Sequence, residues 1–360
     1  MRDEEKDANS RSIPPSRTEF EFIDRIRQQA LNHSSLITHH SSLSLGIGDD
    51  AAIIRQQSGR DTVITTDLLV QDIDFRLDTT TPWLLGYKAL AISLSDIAAM
   101  GARPRYALLS IGIPSEIWNS DFVDKLYDGF FALAESYSVE LIGGDISRTP
   151  ERIVIDAIVL GEAPRGRAIR RTGARPHDHI FVTGALGGAA AGLRLLERGA
   201  RLSRKRPRAA HKRAVEQLLL RQLRPEPRVA WGAVLGEERL PTAMIDLSDG
   251  LSSDLAHLCR ESNVGAIIDA SRIPIDPLVI NLCGRRALDP LMLALHGGED
   301  FELLFTVRPR DLSRLPRRVC GVPVTYIGDV TADAGRIRVS EGSHVWTLEP
   351  AGFMHFGRRD

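Results

Sequence analysis

Thr62-Val-Ile-Thr-Thr-Asp67 sets the pattern from which the fold is read: a short β-branched, apolar run that ends on a carboxylate. Valine, isoleucine and threonine suit a pleated, half-buried surface. A run of this length, halted by a small polar residue, reads as a strand delivering its next side chain into a loop. Four other stretches repeat the pattern: Leu43-Ser-Leu-Gly-Ile-Gly-Asp-Asp50, Val139-Glu-Leu-Ile-Gly-Gly-Asp145, Thr242-Ala-Met-Ile-Asp-Leu-Ser-Asp249 and Leu293-Ala-Leu-His-Gly-Gly-Glu-Asp300. A sixth carboxylate, Asp96, is the only charge between Ala89 and Met100. On a helix it shares a face with Ala89, Ile92 and Met100, so it points inward. Carboxylates gathered at strand ends cannot all stay ionised unless cations neutralise them, and hard divalent cations with oxygen ligands meet that need. Unrelated turn and cap aspartates are the plain alternative, and they account for one such motif more readily than for six.

The elements around these strand ends give an α/β (α+β) protein. Strands are expected at 62–66, 105–112, 153–160, 179–183, up to Asp246 and at 301–307, with short strands to about 348. Helices are expected at 84–100, 120–138, 188–197, 212–222 and 250–261, and one begins at the capping pattern Thr18/Glu21. The chain of 360 residues exceeds the usual size of one core, so two domains are expected. Ala163 to Pro176, rich in Pro, Gly and Arg, is the boundary candidate. This divides the chain into a polar leader (1–17, with Pro14-Pro15), an N-terminal domain (18–162) and a C-terminal domain (163–356).

Composition narrows the class. A hydrophobic fraction of 43%, a charged fraction of 26% and a net charge of −1 give no electrostatic reason to expect nucleic acid or an anionic membrane as partner. The basic run Arg201 to Arg213 lacks interleaved aromatics and reads as a solvated loop. Three scattered cysteines exclude a disulfide framework, and the charged start lacks a signal peptide's apolar core. A soluble cytoplasmic protein is therefore expected. There is no G-x-x-x-x-G-K-[ST] loop, no H-E-x-x-H and no G-x-S-x-G. The glycine-rich turn from Thr183 offers N–H groups at a helix start, though small residues there serve packing equally well.

Six segments, in order, carry a resemblance to the bacterial thiamine-monophosphate kinases of the aminoimidazole-ribonucleotide-synthetase-like superfamily: 46–52, 65–70, 87–104, 141–145, 246–255 (D-L-S-D-G-L-S-S-D-L) and 297–303 (G-G-E-D-F-E-L). The resemblance implies two α/β domains, with the N-terminal ones pairing in a homodimer. It also implies phosphorylation of thiamine monophosphate by ATP, with several Mg2+ ions. Position by position it implies Asp50, Thr65, Thr66, Asp67, Asp96, Asp145, Asp246 and Asp249 as magnesium ligands. Gly144, Asp145, Arg171, Ser248 and Tyr127 become nucleotide contacts, although packing beside Val123 and Phe131 explains Tyr127 as well. Glu299 and Phe353 become substrate contacts, with terminal packing as the alternative for Phe353. The family's loop after T-T-D-L-L-V reads E-G-x-H-F, whereas this chain has Gln71-Asp-Ile-Asp-Phe75. Asp74 thus stands where a substrate-contacting histidine is usual. A non-catalytic nucleotide- and metal-binding regulator, or another ATP-using synthetase of the superfamily, are the alternatives.

Overall fold

The computed structural model describes residues 25–32, 43–45, 53–54, 58–203, 209–283 and 289–353. Asp50 and the 1–17 leader lie outside the described residues, as does the start of the first helix, of which 25–32 are helical. Four strands, β1 (Arg60–Val70), β2 (Arg103–Ile113), β3 (Glu140–Arg148) and β4 (Val154–Pro164), form a sheet in the order β1-β4-β2-β3. Only the β2–β3 pairing is parallel. Burial alternates along β4: Ile155, Ala157 and Val159 are buried, while the residues between them are half-buried. One face is therefore covered and the other is not.

Helices α1 (Pro82–Ala99) and α2 (Phe122–Tyr137) pack together over the covered face. Thr81 caps α1 by accepting the Leu84 N–H, and Pro82 supplies a preset first turn. Nearly every residue of α1 is buried, because α1 is enclosed by the sheet, by α2 and by the second half of the chain. A helix apolar all round belongs in such a place. Where α1 crosses α2, a methyl group on Gly86 would sit 1.8 Å from the Leu126 carbonyl oxygen, and one on Gly129 would sit 1.8 Å from that of Trp83. Backbone thus packs on backbone.

The second half builds a larger sheet from β5 (His179–Thr183), β6 (Pro241–Asp246), β7 (Gly265–Asp269), β8 (Leu303–Val307), β9 (Val322–Thr331), β10 (Ile337–Glu341) and β11 (His344–Thr347). Their order is β11-β10-β7-β9-β5-β8-β6, and the short strand Arg318–Val319 pairs with β9. Helices α3 (Gly188–Glu197), α4 (Ala210–Leu223), α5 (Val229–Glu238), α6 (Leu251–Ser262) and α7 (Pro290–His296) complete it. Both faces of this sheet are buried. Ile180, Val182, Ile245 and Leu304 pack with Leu255 and Leu258 of α6. Phe181, Met244 and Phe305 face the other way and join Leu90, Ile97 and Trp231 in the core that also fills the first sheet. The expected elements did not include α5, β7 or the short helix Pro277–Cys283, and the run from Leu293, expected as a strand ending on Asp300, is instead the end of α7 followed by a loop. In α5 the glycines at 232 and 236 weaken the helical signal, although both are there to let the helix approach Ala98 and Gly101.

Candidate active site

Asp67 from within β1, Asp96 from α1 and Asp246 from the end of β6 meet where the two sheets share α1, so only Asp246 of the three stands at a strand end. Side chains alternate along β1, so Thr65 and Asp67 turn toward α1 while Thr66 turns away. Thr65 Oγ1 donates to Asp96 Oδ2 at 2.5 Å, and Ser93 Oγ donates to Asp67 Oδ2 at 2.7 Å. From the same helix, Ser95 Oγ donates to Asp246 Oδ2 at 2.8 Å, which ties α1 to the end of β6. Asp67, Asp96 and Asp246 thus converge from three elements. Thr66 does not join them: its hydroxyl donates to Asp156 Oδ1 at 2.5 Å on the open face of the sheet.

Beyond Asp246 the chain runs against the Gly297–Glu302 loop. Leu247 N–H donates to the Glu302 carbonyl at 2.8 Å, Phe301 N–H to that of Leu247 at 2.9 Å, and Glu299 N–H to that of Ser248 at 2.8 Å. This pairing holds Glu299 (φ 65°) and Phe301 (φ 49°) in the left-handed region, a strained arrangement for side chains of their size. The loop's three carboxylates then go three ways. Glu299 pairs with Lys88 Nζ at 2.6 Å and accepts from Gln222 Nε2. Asp300 accepts from Gly187 N at 2.6 Å and Ala189 N at 3.0 Å, which caps α3. Glu302, fully buried, takes Arg228 Nε at 2.6 Å and Nη2 at 2.5 Å, with Thr183 Oγ1 at 2.7 Å.

The carboxylate group is held under electrostatic stress. Burial pushes Asp67 up to about 6, and the Asp96 charge adds to it. Asp96 is also raised by burial, with the Thr65 hydrogen bond and the Arg171 guanidinium pulling the other way. Asp246 lies well above the carboxylate range through burial and repulsion from Asp96. Asp254, on α6, is pushed to about 7 by burial and by Asp249, even though it accepts the N–H groups of Asp249 and Gly250. Asp300, away from this group, rises to about 7 through burial. Nearby carboxylates kept from water in this way favour a proton or a cation.

A cavity of about 940 Å³ opens beside this group. Asp67, Asp74, Ser248, Asp249, Glu299 and Phe353 line it, with Ile73, Leu193 and Met292 as partly exposed apolar wall. Asp74 serves its own loop as well, its Oδ2 accepting the Val70 N–H at 2.8 Å. Phe353 belongs to a strap at 351–353: Gly352 N–H donates to Ser253 Oγ at 2.9 Å and Phe353 N–H to the Asp249 carbonyl at 3.3 Å. Arg171 is exposed and acts electrostatically on Asp96 and Asp254. Gly144 and Asp145 lie exposed on β3, three strands from β1, hence about 14 Å from Asp67 by strand spacing. Asp145 pairs in register with Ser110, which also pairs with Asp156. Tyr127 is buried in the core, its ring centroid 6.2 Å from that of Phe131, and burial raises its hydroxyl. Sequence reasoning missed Lys88, Gln222, Asp156 and Asp254. Of these only Asp254 carried a signal, as the last carboxylate of the 246–255 motif.

Among the described residues no three carboxylate, histidine or cysteine groups, Asp67, Asp96 and Asp246 included, are arranged as a ready-made metal cage. Magnesium does not need one, since it keeps several waters and takes one or two carboxylates together with phosphate oxygens. The desolvated, mutually repelling Asp67, Asp96 and Asp246 fit that mode of binding.

Two family models cover the chain: AIR synthase related protein, N-terminal domain, over residues 48–163, and AIR synthase related protein, C-terminal domain, over residues 175–340. The thiamine-monophosphate kinase of Escherichia coli O157:H7 is 39% identical over 341 residues, spanning 93% of this chain and 96% of that protein. That of Bacillus subtilis is 35% identical over 94% of this chain and 99% of its own. The crystal structure of thiamine-monophosphate kinase from Stenotrophomonas maltophilia superposes with a TM-score of 0.77 at 38% identity, covering 91% and 97% of the two chains. A second structure, AaThiL complexed with AMPPCP and TMP, superposes with a TM-score of 0.72 at 31% identity over 94% and 97%. With both domain models matched in order and such identity over nearly its whole length, the chain belongs to the thiamine-monophosphate kinase family of AIR synthase related proteins.

Proposed function

We propose that this chain transfers the terminal phosphoryl group of ATP to thiamine monophosphate, giving thiamine diphosphate. The observation that carries the reading is the desolvated group Asp67, Asp96 and Asp246, set beside a cavity that also presents Glu299 and Phe353. The accepting phosphate monoester has a second pKa near ~6 and is largely dianionic at neutral pH, so no side chain has to remove a proton from it. What must be overcome is repulsion between two anions approaching in line.

In this reading Asp67, Asp96, Asp246 and Asp249, with Thr65 and Asp50, hold several Mg2+ ions, and Asp145, about 14 Å from Asp67 by strand spacing, serves a separate ion. Thr66, whose hydroxyl lies beside Asp156 on the open face, completes the proposed ligand set. The ions supply charge neutralisation for the phosphates, in place of general-base chemistry. Arg171 adds a planar cation that stays charged. Gly144, Asp145 and Ser248 offer backbone and polar contacts to the nucleotide. At Gly144 a side chain would meet the Leu109 carbonyl oxygen at 2.0 Å, so only glycine lets β3 pair with β2 there. Tyr127 is buried in the core beside Phe131, which favours packing over a nucleotide contact. Glu299 and Phe353 bind the thiamine end.

The pairing unit we propose is a homodimer through the open face of the first sheet, where Ile64 and Leu68 are 64% and 58% exposed. Large apolar side chains on an uncovered sheet face favour a second protein surface. No described helix is long and apolar enough to cross a membrane. We place the reaction in the cytoplasm, where ATP is made and where the free Cys259 and Cys320 stay reduced. The test is ADP release from ATP and Mg2+ with thiamine monophosphate, and with thiamine as control. Turnover that needs both the monophosphate and Mg2+, and that Asp67→Asn abolishes, is expected. ADP release indifferent to thiamine monophosphate defeats the reading.

A further inference from the structure

Glu299 is gripped by two groups that are themselves buried. Lys88 on α1 and Gln222 on α4 are each 5% exposed. Lys88 Nζ lies 2.6 Å from Glu299 Oε1, and Gln222 donates its Nε2–H to Oε2. An ionised carboxylate only accepts, so the amide nitrogen of Gln222 must face it and the carbonyl oxygen must face elsewhere. That oxygen, Oε1, is buried and has no hydrogen-bond donor in the structure. Buried acceptors are nearly always satisfied in folded proteins, and an exception beside a binding cavity is a place where water or a ligand can supply the missing donor.

Gln222 and Glu299 both line the cavity, and the exposed apolar side chains of Ile73, Leu193, Met292 and Phe353 stand around it. The cavity therefore pairs a flat apolar slot with an acceptor that lacks its donor. We propose that Gln222 is a specificity-determining residue that reads an amino-substituted heteroaromatic ring, its Oε1 accepting an N–H from the exocyclic amine. This rests on thiamine monophosphate being the substrate, since its pyrimidine carries such an amine. Nε2 stays on Glu299, which Lys88 holds in place, and Oε1 is left to accept from the ring amine. The Lys88 charge keeps Glu299 from being an uncompensated anion beside the buried amide.

The experiment compares kcat/KM of the full chain, with ATP and Mg2+, for thiamine monophosphate and for the analogue whose ring amine is replaced by a carbonyl oxygen. A site built to accept from an amine rejects a partner lacking it, so wild type should prefer the amine by about tenfold or more. Gln222→Met, similar in shape but without the acceptor, should bring the preference to within about twofold, while the KM for ATP moves little. Retention of the full preference by Gln222→Met overturns the inference. So does a wild-type enzyme that uses both substrates alike, a result that needs no variant to fold. A wild type that phosphorylates neither defeats the proposed function and takes this inference with it, which separates the two failures.

Discussion

At the scale of single residues, the carboxylates of the site oppose the fold that holds them. Asp67 rises to about 6 and Asp254 to about 7 from 3.8, so the folded chain binds protons more tightly than the unfolded one. Their stabilising protonation is complete below about pH 4 and is lost as pH rises through about 7. The metal-free protein should therefore melt at lower temperature at pH 8 than at pH 5. Asp254→Asn should flatten that fall by about 1–3 kcal/mol in relative stability, read by calorimetry across the pH series. A slope unchanged by the substitution would remove Asp254 from the group. A second residue-scale prediction concerns Asp74, which both lines the cavity and ties down Val70. Asp74→His should change the KM for thiamine monophosphate and leave that for ATP nearly constant. An effect confined to ATP would place the side chain outside the substrate's reach. The sequence made Asp67, Asp96, Asp246 and Asp249 visible because strand ends and an isolated charge are local patterns. Lys88 and Gln222 were hidden because their meaning depends on Glu299, which is 211 and 77 positions away.

Among the elements, α1 had the clearest signal and carries the most structure. Its apolar circumference was readable, and so was its length to within a residue or two, because nothing polar interrupts it except the residues that reach the site. Lys88, Ser93, Ser95 and Asp96 are the polar positions of an otherwise apolar helix, and each is spent on a bond to another element. The crossing with α2 was not legible, since a glycine in a helix announces only weakened propensity. Gly129→Ala should destabilise the protein by about 1–3 kcal/mol or more, because the methyl group meets backbone that cannot rotate away. Urea unfolding would measure it, and a change under about 0.5 kcal/mol, the range of an ordinary surface substitution, would show that the helices part easily. Thr66 gives the converse lesson. The resemblance grouped it with its neighbours, but strand alternation turns its hydroxyl to the other face.

For the whole molecule, the two-domain reading meets a core that does not divide in the same way. Leu90 and Ile97 of α1 share one cluster with Trp231, Met244 and Phe305 from the second half. The segment around Ala163 to Pro176 lies between the two matched domain models and between the two sheets, while one core cluster reaches across it and another is built from the second half alone. The open face of the first sheet leads to a prediction at this scale. Leu68→Lys should shift the protein from dimer to monomer in sedimentation velocity, since Leu68 is exposed within one chain and would be covered in the pair. A monomeric wild type, or a dimer untouched by the charge, would direct attention to another surface.

The strap at 351–353 has a consequence for how the site comes into being. Gly352 and Phe353 lie after every sheet strand in the sequence, yet they close on Ser253 and Asp249 and finish the cavity wall. During vectorial synthesis the earlier elements can pack as they emerge from the ribosome, but this wall is delivered last. Nascent chains arrested before residue 351 would thus hold a folded core around an unfinished pocket. Ligand capture becomes a late event in the life of the polypeptide, separated in time from the burial that makes it stable.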